Sequence, residues 1–213
     1  DRKPYSSLKM AELEKKYHIN STYFFRTKNQ TLKPEIITEI ASFGHEIGYH
    51  YENLSDVNGD YNKAINDFEL NLKILRKYYP VENIAMHGSP LSRWDNRLLW
   101  HKYDYRDFGI TAEPYFDFDF NEVLYLTDAG RKWSDDSVNI RDKVKTNFSF
   151  NINSTQDFLY LLSKSKLPDK IMLNIHPEHW ASTGLEWIGI RSVRVIKNTL
   201  KKLYNHLKPI TPI

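Results

Sequence analysis

The chain contains no cysteine, which excludes disulfide bridges and thiolate metal sites and leaves the redox compartment unread. It has no apolar run approaching the length of a membrane span, no glycine-rich loop of the kind that cradles phosphates, and no internal repeat or low-complexity tract. Linkers rich in Pro, Gly or Ser and blocks of like charge are also missing. The 213 residues are therefore expected to form one domain, 1–213, long enough for a substantial core. Nor is there a charge imbalance: 30 basic and 27 acidic residues are interspersed, for a net charge of +3. With no arginine-rich arm or basic stripe, this argues against a nucleic-acid partner. No secretory signal is visible, and the chain opens at Asp1-Arg2-Lys3-Pro4 without a methionine. The natural protein is expected to begin earlier, and the compartment stays open with the cytoplasm favoured.

Histidine-bearing clusters and aromatic rings are what the chain does have. Gly44-His45-Glu46-Ile47-Gly48-Tyr49-His50-Tyr51-Glu52 packs two histidines and two carboxylates around an apolar centre, just after a helix-ending glycine. Met86-His87-Gly88-Ser89-Pro90 and Ile175-His176-Pro177-Glu178-His179-Trp180 each follow a short apolar run. All three place histidine at the end of an expected strand, where α/β enzymes keep their chemistry. Fourteen tyrosines and five tryptophans serve either as core and surface rings or as platforms for sugar faces.

Apolar periodicity predicts a helix over Pro4 to Tyr17, with Leu8, Met10, Ala11 and Leu13 on its stripe, then a strand from Ser21 to Arg26. Pro34 opens a second helix striped by Ile36, Ile37 and Ile40 and closed by Gly44, and Glu46 to Tyr51 forms the next strand. Asp60 to Tyr79 reads as a helix stopped by Pro80, ahead of a strand at Asn83 to Met86. Further on come a short helix near Asp95 to His101, strands at Phe108 to Ala112 and Val123 to Thr127, a helix from Thr155 to Lys164, and a strand from Lys170 to Ile175. Ile190 to Leu207 reads as an amphipathic outer helix. Alternation of this kind implies a mainly parallel sheet, either closed or doubly wound. Because His50, His87, Asp128 and His176 fall at four separate strand ends, a barrel is expected, in which they would converge.

The first cluster resembles the Gly-His-Glu-Ile-Gly-Asn-His segment of the polysaccharide deacetylases, carbohydrate esterase family four. Ile19 to Phe25 is similar to that family's strand ending in Thr-Phe-Phe, and Leu173-Asn174-Ile175-His176 resembles its closing Leu-x-Ile-His motif. The resemblance spans about the whole chain and is most specific at His45 to His50. It implies a distorted (β/α) barrel of about seven strands, lacking its first strand if the chain is truncated, and a divalent metal, zinc foremost, as cofactor. In such a site the ion activates water and polarises an acetyl carbonyl.

By that resemblance His50 is a metal-binding histidine and His176 the general acid. Asp1 is the remnant of the opening aspartate motif and a metal ligand, with the catalytic base upstream of it. The second metal histidine falls on Leu54, and Glu52 is the nearest oxygen donor to replace it. The arginine expected between Ala85 and Pro90 is replaced by His87, which reads as a catalytic proton carrier, a metal ligand or an ordinary hydrogen-bonded histidine. Asp128 with Trp133 approximates the Asp-Trp pair that supports the acid. Trp180, Trp187 and Tyr115 with Phe116 form a substrate platform or close an end of the barrel. The alternation Asp117-Phe118-Asp119-Phe120 reads as a half-buried edge strand or an acidic rim. The implied activity is metal-dependent hydrolysis of the acetyl group of an amino sugar or glycan, a C–N bond other than a peptide. The alternatives are a cyclic-amide hydrolase and a non-catalytic carbohydrate-binding or scaffold protein.

Overall fold

The structure is a computed structural model that describes residues 3–89, 92–129, 133, 141–181, 183–185 and 188–189. Asp1, Trp187 and the expected helix Ile190 to Leu207 lie outside the described residues. The chain gathers into two compact units, Asp1–Asp117 and Phe118–Ile213. Among the described residues no helix is long and apolar enough to cross a membrane.

The first unit begins with α1 (Pro4–Lys16), whose proline occupies the first helical turn and whose last turn carries Lys15 and Lys16, where the helix dipole favours cations. Its buried face is Pro4, Ser7 and Ala11, with Leu8 packed alongside, whereas Leu13 is exposed. The expected stripe is thus turned by part of a revolution, because the small residues let α1 approach the neighbouring helix closely. β1 (Thr22–Phe25) follows. α2 (Pro34–Ser42) buries Ile36, Ile37 and Ile40 as expected, and Gly44 ends it at φ +92°, a backbone conformation glycine adopts without a Cβ penalty.

β2 (Glu46–Tyr51) is the central strand of a three-stranded parallel sheet ordered β1-β2-β3. The short α3 (Asn53–Asp56) comes next, then α4 (Tyr61–Leu75), then β3 (Ile84–Met86). Asp60 caps α4 by accepting a hydrogen bond from the Lys63 amide at 3.1 Å, and Ala64, Phe68, Leu72 and Leu75 face the core. Register pairs Tyr23 with Ile47 and Tyr49 with Ile84, and Ile47, Tyr49 and Tyr51 are all buried. Gly48 is required by close approach: a Cβ there would lie 2.4 Å from the Phe24 ring.

The second unit holds a two-stranded parallel sheet of β4 (Leu124–Thr127) and β5 (Ile171–Asn174), with α6 (Thr155–Ser163) between them in sequence. Ser154 and Asp157 form a reciprocal capping box at the start of α6, satisfying two otherwise unpaired amides. Leu124, Leu126, Trp133 and Ile152 make the core, flanked by Phe148, Phe158 and Leu161.

Among the described residues, five strands in parallel sheets of three and two replace the expected barrel of about seven. A barrel closes only when every strand has a partner on both sides, and among the described residues neither ladder closes. The expected strand Phe108 to Ala112 accounts for part of the difference. Its start belongs to a 3-10 turn, Tyr105–Phe108, that ends at Gly109 with φ +69°, and only an isolated bridge joins Asn83 to Ala112. The alternation at Asp117 to Phe120 is likewise no strand. Asp117 ends the helical turn α5 (Pro114–Asp117), and Asp119 accepts the Asn121 amide at 2.8 Å.

Candidate functional site

The carboxyl ends of β1, β2 and β3 each deliver a polar residue. Arg26 follows β1, His50 and Glu52 stand at the end of β2, and His87 follows β3. Parallel register places these ends side by side, with His50 opposite Ala85 and Tyr51 opposite Met86. This is the edge of an open α/β sheet at which ligands bind.

Glu52 is buried, and both of its oxygens are engaged. Arg26 Nε donates to Oε1 at 2.8 Å, Lys28 Nζ stands 3.6 Å from the same atom, and His87 Nδ1 lies 2.8 Å from Oε2. Burial pushes the carboxyl upward, but the His87 hydrogen bond and charge, joined by those of Arg26, outweigh it and hold the group at about 2. Glu52, expected as a metal donor, has its oxygens engaged by Arg26 and His87.

His50 Nδ1 lies 2.9 Å from the Ala85 carbonyl. A carbonyl only accepts, so Nδ1 carries the proton and Nε2 the lone pair. His87 has the same tautomer, since its Nδ1–H points at the Glu52 carboxylate. The two rings lie 5.1 Å apart, nearly perpendicular. Tethering Nδ1–H to a protein oxygen is how metal-ligating histidines are oriented, so this pair fits the nitrogen side of a zinc-type centre. The remaining expected ligand, Asp1, lies outside the described residues.

Ser89 Oγ is 3.1 Å from His87 Nδ1, the same nitrogen that meets Glu52. A nucleophilic triad needs carboxylate and hydroxyl on opposite ring nitrogens, so this is not one. Leu54, where the resemblance places a histidine, is fully buried in the hydrophobic core. His45 is structural: its Nε2 lies 3.0 Å from the Ala11 carbonyl, and its Nδ1 accepts the Ser21 amide at 3.3 Å. Tyr115, expected against substrate, packs half-buried beside the core, with the Arg97 guanidinium 5.0 Å over its ring.

In the second unit the strand ends carry Asp128, after β4, and His176, His179 and Trp180, after β5. His176 Nδ1 lies 2.7 Å from Asp128 Oδ1, and the His176 amide donates to the same carboxylate at 3.0 Å. Trp180 Nε1 donates to Oδ2 at 3.1 Å. His179 Nδ1 stands 3.1 Å from the Asp128 carbonyl and 3.5 Å from Oδ1. Burial pushes the Asp128 carboxyl up, yet its hydrogen bonds with His176 and His179 and their charges hold it far below the usual carboxylate range. Burial lowers His176, and the hydrogen bond and charge of Asp128 more than offset it, raising the imidazole above its ordinary value.

Trp180 thus takes the supporting place expected of Trp133, whose Nε1 donates to Thr155 Oγ1 at 3.3 Å instead. The Trp180 indole remains 44% exposed, so its ring is accessible while its nitrogen is held. Among the described residues, the trio of histidine and carboxylate whose donor atoms all lie within 4.8 Å of one another is Asp128, His176 and His179. Sequence reasoning missed Arg26 and Trp180 as partners of the two carboxylates. Arg26 carried one usable signal, its place directly after a strand. No family model, curated protein or solved structure matches the chain.

Proposed function

We propose that the chain is a metal-dependent hydrolase that removes the acetyl group from an amino sugar or glycan, breaking a C–N bond other than a peptide. The observation that carries this reading is the shared tethering of His50 and His87 at adjacent strand ends, Nδ1–H bound to protein oxygen in both. His50 and His87 would hold the ion, with Glu52 and Arg26 fixing the His87 ring. When bound, the ion supplies Lewis-acid chemistry, polarising the acetyl carbonyl and acidifying water.

The chain's other contribution is a proton. Asp128 holds His176 through Nδ1, so the proton available for a departing amine is the one on Nε2, and the buried carboxylate stabilises the imidazolium that carries it. The Trp180 indole beside this pair has the flat apolar face that a sugar ring stacks on.

The test is acetate release from N-acetylated chito-oligosaccharides by the full chain at stoichiometric zinc. We expect turnover that is lost on chelation, restored by zinc, and abolished in His50→Ala and His87→Ala together with one metal equivalent. A metal-free protein that binds the oligosaccharide without releasing acetate would instead identify a carbohydrate-binding scaffold.

A further inference from the structure

The resemblance assigns a metal to the first unit and only a proton donor to the second, yet the tighter cluster of donors is in the second. We propose that Asp128, His176 and His179 form a second divalent-metal site, suited to zinc, which competes with the proton shared by Asp128 and His176. Three features of this unit support it.

The first is spacing. Asp128 Oδ1 lies 2.7 Å from His176 Nδ1 and 3.5 Å from His179 Nδ1. Donors around a tetrahedral zinc sit about 3.3 Å apart when each bond is about 2.0 Å. A small widening of one gap and closing of the other admits the ion.

The second is orientation. Trp180 Nε1 holds Oδ2 at 3.1 Å and the His176 amide bridges both oxygens at 3.0 and 3.2 Å, which fixes the carboxylate with Oδ1 beside both imidazoles. A metal-binding carboxylate is normally fixed by outer hydrogen bonds of this kind. Backbone geometry fixes the donors as well, because the Asp128 amide bonds to the Asn174 carbonyl at 3.2 Å and the His179 amide to the His176 carbonyl at 2.8 Å.

The third is donor chemistry. Two imidazoles and one carboxylate leave a fourth position for water, the usual composition of an open zinc site. On binding, Zn²⁺ takes the place of the proton between His176 Nδ1 and Asp128 Oδ1, and that proton passes to solvent. His179 moves its own proton from Nδ1 to Nε2. One ion enters, one proton leaves, and no oxidant or reductant is needed.

The regulatory consequence rests on the reading of Asp128 and His176 as the proton donor: zinc at this site silences the acid, so excess metal inhibits the enzyme that a first metal activates. The site itself is testable without activity. The full chain is stripped with a chelator and titrated with zinc against a zinc-binding dye, as wild type, as His179→Gln and as His50→Ala/His87→Ala. The wild type should hold two equivalents. His179→Gln should lose one or bind it at least about tenfold more weakly, and the double variant should retain that same one. An isotherm unchanged in His179→Gln overturns the site.

Should His179→Gln fail to fold, imidazole ¹⁵N spectra of the wild type decide. Zinc-induced shifts at His176 and His179 support the site, and resonances unmoved at zinc saturation overturn it. Turnover then separates the two ideas. Excess zinc should inhibit the wild type and not His179→Gln. A filled second site without inhibition counts against the acid role of His176 while leaving the site standing.

Discussion

His176 Nδ1 lies 2.7 Å from Asp128 Oδ1, and the indole nitrogen of Trp180 holds the other oxygen of the same carboxylate at 3.1 Å. One buried aspartate therefore ties together the ends of β4 and β5, and a histidine with a raised proton affinity hangs from it.

If His176 is the acid, His176→Ala should lower acetate release by about a hundredfold or more, the usual scale for losing a general acid. Trp180→Phe keeps the ring but removes the donor to Asp128, and should cost turnover, whereas Trp133→Phe should lower thermal stability with little effect on turnover. Equal rates for wild type and His176→Ala at matched zinc would place the acid elsewhere.

Glu52 makes a pH prediction. Its folded value of about 2 lies below the ordinary 4.5, so the folded state binds fewer protons than the unfolded one. The stability it contributes is fully present above about pH 4.5 and drains away as pH falls toward 2, by about 3 kcal/mol in all. Glu52→Ala should cost about 3 kcal/mol at neutral pH, because the half-buried Arg26 and the buried His87 lose their shared acceptor. In denaturant melts the gap between the two proteins should narrow by roughly half between pH 7 and pH 3, and a gap that does not narrow would exclude Glu52 as its origin.

Glu113 carries the opposite sign. It is fully buried, takes the Tyr115 amide at 2.7 Å and the Met86 amide at 3.2 Å, and receives the Tyr51 hydroxyl at 3.1 Å. Burial outweighs these bonds and pushes it up to about 7. The folded state then binds the extra proton between about pH 4.5 and 7, and stability falls as pH rises through that window, by about 3 kcal/mol. Glu113→Gln should flatten this slope in melts taken at half-unit steps, and an unaltered slope would rule out Glu113 as its source.

Leu54→His would restore the histidine that the resemblance places four residues after His50. Leu54 is fully buried among core side chains, so the change puts a polar ring into an apolar site. We expect a loss of about 2–4 kcal/mol and no added metal equivalent. A gain in zinc binding with wild-type stability would contradict the packing of α3.

Much of the local structure was legible in the residues. Pro34 and Gly44 bracket a helix whose three isoleucines face one way, and apolar runs ending in His50, His87 and His176 gave strand ends where polar chemistry belongs. These readings rest on interactions spanning a few residues: helix periodicity, a proline without a donor, a glycine at positive φ. The same short range explains the failures at Phe108 to Ala112 and Asp117 to Phe120. Apolar residues over so few positions fit a strand or a turn equally, and caps such as Asp104 and Asp119 decide between them.

Side-chain partnership and sheet closure lay beyond that range. Glu52 meets Arg26, 26 residues earlier in the chain, and Asp128 meets His176 and Trp180, 48 and 52 residues later. Such pairings depend on strand register, which residue type alone does not encode. By itself the sequence determined α1, α2, α4 and the strands that end at His50, His87 and His176, because those follow from local backbone preferences. Only the tertiary structure decided that the described strands form parallel sheets of three and two, that Glu52 meets Arg26 and His87, and that Trp180 rather than Trp133 supports Asp128. Burial and register arise from contacts distant in sequence, and those contacts set which charges meet.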